Sequence, residues 1–295
     1  MKRKALFIIN PIAGGKKKDR VPELIDQHLD KNVFDYHIIF TDGVSHAQQI
    51  AAEAAGKVDI VAAVGGDGTV NEISSAIVGS TTALGIVPFG SGNGLARFLG
   101  IPMDTAASIK TLGGYRVETI DSGLMNGQPF FNMAGMGFDA HIAEVFSHGK
   151  KRGFLTYIKS TMQEIMSYRP EKYWIEIDGK KHERDAFIIS IANSSQWGND
   201  VHIAPGASVQ DGLLDVCIIS KFPAWRLPEI GARLMLKTIE ASTYIEIIKG
   251  RDIHIKRVGP GAIHLDGEPQ VMQADLHINI EPKSLKVIVG AGYKD

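Results

Sequence analysis

Apolar residues in the first 120 positions come in short unbroken runs, separated by stretches with helical spacing. Runs at 4–9, 36–40, 59–64 and 83–87 have the length and composition of strands buried on both faces. Segments at 21–29, 45–55, 70–78 and 104–112 carry their apolar residues at helix spacing. This alternation predicts a parallel sheet covered by helices on both sides, an α/β unit of three layers. Ser45 followed by Gln48 predicts a capping box at the head of the second helix. After Gly123 the pattern turns to strand-like runs at 129–134, 173–177, 186–193, 214–219, 245–249, 253–256, 263–265 and 276–280, with tight-turn signals at Asp178-Gly179 and Asp266-Gly267. Helices are expected near 153–167 and 228–238. The second half therefore reads as a mainly antiparallel, β-sandwich-like domain. A chain of 295 residues exceeds the usual size of one core, so two units are expected, 1–122 and 123–282, divided near Asp121-Ser122-Gly123.

Three of the predicted parallel strands end in glycine-rich turns. The first runs into Asn10-Pro11-Ile12-Ala13-Gly14-Gly15-Lys16, the third into Gly65-Gly66-Asp67-Gly68-Thr69-Val70-Asn71-Glu72, the fourth into Pro88-Phe89-Gly90-Ser91-Gly92-Asn93-Gly94. Glycines lacking Cβ let backbone N–H groups approach phosphate oxygens, and a helix N-terminus adds a positive dipole end. Ligands of open parallel sheets gather at the carboxyl ends of the strands, where all three turns lie. Asp67 would repel a polyphosphate unless a cation stood between them, so it is expected to face Mg²⁺, directly or through water.

In that order, Asn-Pro-x-x-Gly-Gly, Gly-Gly-Asp-Gly-Thr-x-Asn-Glu, Pro-x-Gly-Ser-Gly-Asn and the late Leu265-Asp266-Gly267-Glu268-Pro269 resemble the diacylglycerol kinase and sphingosine kinase family of lipid kinases. The resemblance implies an ATP- and Mg²⁺-dependent transfer of a phosphoryl group to a lipid hydroxyl, with nucleotide on one wall of an interdomain cleft. It also implies that residues 283–295 return to the first domain. Nucleotide contacts carried over are Asn10, Thr41, Gly65, Gly66, Asp67, Gly68, Thr69, Val70, Asn71 and Ser91; for Thr41 and Ser91 a turn hydroxyl is the plain alternative. Asp266 matches the proton acceptor, although the aspartate matching Asp67 is often given that part in sphingosine kinases. Asp121 matches a member of a water-mediated network around the catalytic Mg²⁺. Asp211, with the carbonyls of Ser208 and Leu213, matches a structural Mg²⁺ site of bacterial members; read without the resemblance, the segment is a hairpin turn. Gly94 departs from the pattern, because bacterial diacylglycerol kinases carry aspartate there. Rival readings are an NAD kinase, which shares Gly-Gly-Asp-Gly, and a catalytically silent lipid-binding regulator, motivated by Gly94.

Composition narrows the partners. A net charge of −1 and a pI near 6.8 give no bulk attraction to nucleic acid. Cys217 stands alone in an apolar run, so no internal disulfide forms and a buried thiol in a reducing compartment is expected. No apolar run reaches the ~20 residues of a membrane span, and a cytoplasmic protein acting transiently at the membrane surface is expected. Basic and aromatic residues cluster at 150–154 and at Lys221-Phe222-Pro223-Ala224-Trp225-Arg226, as an anionic lipid surface would favour. Gly135-Met136-Gly137-Phe138-Asp139-Ala140 has the spacing of a dinucleotide loop but lies in the β-rich half with no βαβ unit, so close packing is expected instead. The ten histidines show no zinc-ligand spacing.

Overall fold

A computed structural model describes residues 2–15, 17–141 and 168–294. The helix expected at 153–167 and the basic cluster at 150–154 lie outside them. Strands β1 (Arg3–Ile9), β2 (Phe34–Phe40), β3 (Ile60–Gly65) and β4 (Ala83–Pro88) pair in parallel in the order β2-β1-β3-β4. Helices α1 (Val21–His28), α2 (His46–Ala54), α3 (Asp67–Ile77), α4 (Gly94–Phe98) and α5 (Thr105–Gly114) complete this layer system. The continuous apolar character of β1 has a direct cause. Leu6 and Ile8 pack with α2, α3 and α4, while Ala5, Phe7 and Ile9 pack with α1 and α5 on the opposite face.

The start of α2 differs from expectation. Ser45 adopts a left-handed conformation (φ 60°) and its hydroxyl caps nothing, because a capping residue needs extended φ/ψ. The Glu72 carboxylate, reaching from α3, accepts the Ser45 and Gln48 N–H groups instead.

Strands β5 (Val117–Met125), β6 (Gln128–Phe130), β7 (Met133–Gly137), β8 (Glu171–Ile177), β9 (Lys180–Ala186) and β10 (Ile188–Ala192) open the second half. Then come β11 (Gln196–Gly198), β12 (Val201–His202), β13 (Leu214–Ile219), β14 (Ile245–Gly250), β15 (Asp252–Arg257), β16 (Gly261–Leu265), β17 (Glu268–Met272) and β18 (Asp275–Ile288), with helix α6 (Leu227–Met235) between β13 and β14. One antiparallel sheet runs β14-β13-β10-β7-β16-β17. Facing it, β15, β8 and β9 extend the first sheet beyond β18, and the two sheets enclose a core of Tyr173, Ile175, Ile253, Ile278, Met136, Ile189 and Val216. Strand β15 alternates faithfully: Ile253 and Ile255 point into this core, Asp252, His254 and Lys256 to solvent.

Strand β18 joins the halves. It pairs with β15 near Asp275, with β5 along much of its length, and in parallel with β4 at Val287. The stretch read as a boundary, 121–123, is the middle of β5. Its polar residues are consumed there: the Asp121 carboxylate accepts the N–H groups of Gly212 (2.8 Å) and Lys283 (2.7 Å). Among the described residues no helix is long and apolar enough to cross a membrane.

Candidate active site

The three glycine turns meet at the carboxyl end of the parallel sheet. A Cβ on Gly14 would lie 1.7 Å from the Phe89 carbonyl oxygen, and one on Gly90 2.8 Å from the Gly66 Cα, so the first and second turns both abut the third. Gly14 also needs its positive φ of 65°, which a side chain would strain. Hydrogen bonds fix the assembly. Asn10 accepts the N–H groups of Ile12 and Ala13 (both 3.2 Å) and donates to the Thr69 hydroxyl (3.1 Å). Phe89 N–H donates to the Gly65 carbonyl (2.7 Å). The buried Lys18 ammonium caps the Ala13 carbonyl and lies over the Phe89 ring.

Asp67, at the head of α3, accepts the backbone N–H groups of Asn93 (2.9 Å) and Gly94 (3.0 Å). Burial pushes its carboxyl above the usual range against the pull of those two donors, and the charge of Asp266 raises it further. Gly94 acquires a reason here. A Cβ at this position would meet the Asn132 amide nitrogen at 2.6 Å and the Gln196 carbonyl at 3.1 Å. An aspartate here cannot enter without moving the second domain's Asn132. Gly94→Asp is expected to lower stability by about 1–3 kcal/mol through this overpacking, measurable by denaturant titration.

Asp266 sits in the two-residue β16–β17 turn, with Asp266 (φ 49°) and Gly267 (φ 87°) both left-handed, as the Asp-Gly signal predicts. Its carboxylate is buried and saturated. One oxygen accepts N–H from Asn132 (2.9 Å) and Met133 (3.0 Å), the other from Phe131 (2.9 Å) and the Asn71 amide (2.8 Å). A carboxylate offers about four lone-pair sites, and four N–H groups meet them here. Asp266, expected as the proton acceptor, ties together the 131–133 bend and, through Asn71, helix α3.

Glu268, in the same motif but given no role by the sequence pattern, has a carboxylate with no hydrogen-bond or ion-pair partner among the described residues. It lies against Gly68, where a Cβ would come 2.2 Å from its Oε1. Burial raises its carboxyl above the usual range, and the charges of Asp67 and Asp266 raise it further. None of the three carboxylates is offset by a lysine or arginine among the described residues. Asp266 is buried, Asp67 half-buried and Glu268, taken as a whole residue, exposed; Asp67, with one N–H on each oxygen, is the member of this group with lone pairs suited to a hard divalent cation.

Two cavities flank this group. One of about 330 Å³ is lined by Gly14, Pro88, Gly90, Ser91, Asn93, Arg97 and Met103. The other, about 350 Å³, is lined by Glu268, Asn71 and Gln48, with Ser75, Gln128 and Gln270. Of the expected nucleotide contacts, Asn10, Gly65, Gly66, Gly68, Thr69 and Ser91 gather at the three turns. Thr41 is buried at the end of β2, its N–H bonded to Ile9 (2.9 Å). Val70 packs into the core between α2 and α3, and Asn71 turns to Asp266. Among the described residues Asp121 shares no partner with Asp67, and it belongs to the β5–β18 crossing.

The expected structural Mg²⁺ site meets a different arrangement. The Lys249 ammonium donates to Asp211 (2.9 Å) and to the Gly206 carbonyl (3.0 Å) and lies 3.4 Å from Asp215. The Lys249 ammonium thus supplies a positive charge to Asp211, from the position on β14 that pairs with Asp215. Asp215 remains costly: burial outweighs Lys249 and lifts its carboxyl to about 6. A carboxyl raised in the folded state contributes stability that is complete below its unfolded value and lost as pH rises through about 6. Asp215→Asn is therefore expected to stabilise the protein by about 2 kcal/mol at pH 8 and to do nothing at pH 4, by thermal unfolding at the two values.

The dinucleotide-like run is explained by packing. His264 Nε2 and the Asp139 carboxylate pair at 2.8 Å directly above Gly135, where a Cβ would meet His264 Nε2 at 2.2 Å.

Comparison with known proteins accords with this geometry. Residues 4–125 match the diacylglycerol kinase catalytic domain, and residues 132–289 match the YegS C-terminal NAD kinase beta sandwich-like domain. The chain is 31% identical over 225 residues to the diacylglycerol kinase of Bacillus subtilis, covering 74% of each. It is 30% identical over 294 residues to a protein of Citrobacter koseri described as "Probable lipid kinase YegS-like", covering 96% of this chain and 94% of that one. A crystal structure of a diacylglycerol kinase from Bacillus anthracis str. Sterne shares the fold with a TM-score of 0.77 at 24% identity, over 99% of this chain and 98% of the other. The two matched domains, the converging glycine turns and the Asp-Gly-Glu hairpin agree: this chain belongs to the diacylglycerol kinase and YegS-like family of lipid kinases.

Proposed function

We propose that the protein transfers the γ-phosphoryl group of ATP to a hydroxyl of a membrane-derived lipid such as diacylglycerol or a sphingoid base. The phosphates are held by backbone N–H groups of the turns at 10–15, 65–69 and 88–94, with Ser91 beside them in the first cavity. Asp67, which accepts one N–H on each oxygen and keeps its other lone pairs, would hold Mg²⁺, which when bound neutralises charge on the transferring phosphoryl group. The acceptor hydroxyl enters the second cavity and gives its proton to Glu268. One observation carries this reading: Glu268 has a carboxylate that is unbonded among the described residues, lies against Gly68 at the head of α3 and also lines the second cavity. Asp266 positions; it does not take the proton, because its lone pairs are filled.

Labelled ATP with Mg²⁺ and separate panels of diacylglycerols, sphingoid bases and NAD tests the proposal. Label on a lipid supports it. Label on NAD, or on no acceptor, refutes it.

Lipid must be reached at a membrane surface. Exposed Trp225, Met235 and Leu236 lie at the two ends of the segment containing α6, beside Arg226 and Arg233, while Phe222 of the basic-aromatic run is buried. This face is the proposed contact with anionic lipid. Vesicle flotation unchanged by Trp225→Ala with Leu236→Ser would remove it.

A further inference from the structure

The geometry points to a second, separate metal site on the outer face of the β15–β18 ribbon, formed by His254, His277 and Asp252 and selective for a late first-row divalent ion of the Zn²⁺ class. His254 and His277 are direct cross-strand partners. Their rings stack with centroids 4.3 Å apart and planes within 14° of parallel. Both Nε2 atoms approach the same oxygen, Asp252 Oδ1, His277 at 2.7 Å and His254 at 3.6 Å. Two imidazole nitrogens and one carboxylate oxygen thus converge within 4.8 Å of one another.

Imidazole with carboxylate suits Zn²⁺, Ni²⁺ or Cu²⁺ and is a poor set for Mg²⁺, which takes oxygen ligands. All three side chains are about half exposed, so water completes the coordination and the ion exchanges freely. The frame beneath is rigid. Strand β15 buries Ile253 and Ile255 on its inner face, which fixes Asp252 and His254 outward on the same side. The His277 backbone is locked by Asn126, whose side chain accepts the His277 N–H (2.8 Å) and whose own N–H donates to the His277 carbonyl (2.8 Å). Glu176, opposite His254 on β8, adds negative charge to this face.

An ion here bridges β15 to the first residues of β18, the strand that continues to β5 and β4. Binding favours the paired ribbon and is read as stability by mass action. Neither ligands nor partners of this site belong to the kinase centre, so it stands or falls independently of the proposed reaction.

The test is equilibrium dialysis and thermal unfolding of untagged full-length protein with ZnCl₂, without nucleotide. One equivalent of Zn²⁺ is expected, with a rise in Tm that MgCl₂ does not reproduce. His254→Ala and His277→Ala, both surface substitutions, should each weaken binding by at least about tenfold. Asp252→Asn should weaken it less. A parent that binds no Zn²⁺, or binding unchanged in both histidine variants, overturns the site.

Discussion

A Glu268→Gln protein is expected to fold as the parent does, to bind ATP, and to transfer phosphate to lipid about a thousandfold more slowly. Removing a general base costs about 10²–10⁴ in rate. Glutamine keeps the shape of the side chain against Gly68 while losing its basic lone pair. It also removes one of three mutually repelling charges, so the fold should not suffer. The pH profile carries a second signature. Burial, Asp67 and Asp266 hold the Glu268 carboxyl above the usual range, so the parent's rate should fall as pH drops through that raised value, starting less acidic than a free glutamate would dictate. The residual rate of Glu268→Gln should lack this acid limb. Circular dichroism and single-turnover transfer on the two proteins decide the matter, and parental turnover in the variant would reassign the base.

Asp266→Asn should behave in the opposite way, losing structure and activity together. The buried carboxylate accepts four N–H groups, two on each oxygen. An asparagine amide offers one oxygen and one NH₂, so in either orientation a donor faces two donors. Each orphaned buried N–H costs about 1–3 kcal/mol, which puts the expected loss at about 4 kcal/mol or more. For a chain of this size that is a fall in Tm of roughly 10 °C. Because Asn71 and the 131–133 bend are released at once, the second domain's hold on helix α3 is also weakened. An Asp266→Asn protein that is inactive yet as stable as the parent would contradict the clamp and return Asp266 to the role of base.

The parallel half of the fold was legible because β1, β3 and β4 are covered on both faces, which forces unbroken apolar runs. Strand β5 was hidden for the opposite reason. Its Glu118, Thr119, Asp121 and Ser122 look like linker residues, and only the long-range partners Gly212, Lys283 and Ser284 reveal what satisfies them. Edge strand β9, written Lys-Lys-His-Glu-Arg-Asp-Ala, carries the charges that protect an edge and so conceals a strand.

In the site, the glycine turns announced themselves through composition, and Asp266 through its turn. The division of labour inside Asp-Gly-Glu was not readable, since it depends on which carboxylate meets N–H donors from residues more than 130 positions away. Lys249 was missed for the same reason. It is 38 residues from Asp211 in sequence and reaches it only through the pairing of β13 with β14. The empty place at Gly94 was visible as a departure, but its cause, the approach of Asn132 and Gln196, lies wholly in the second domain.

The convergence of the three turns on one triphosphate is tested most directly by a crystal structure of the protein with Mg²⁺ and a non-hydrolysable ATP analogue. The account predicts phosphate oxygens against the backbone N–H groups of the turns at 10–15, 65–69 and 88–94, with Glu268 unbonded on the acceptor side. A nucleotide bound elsewhere, or phosphates that leave the 65–69 turn untouched, would contradict it.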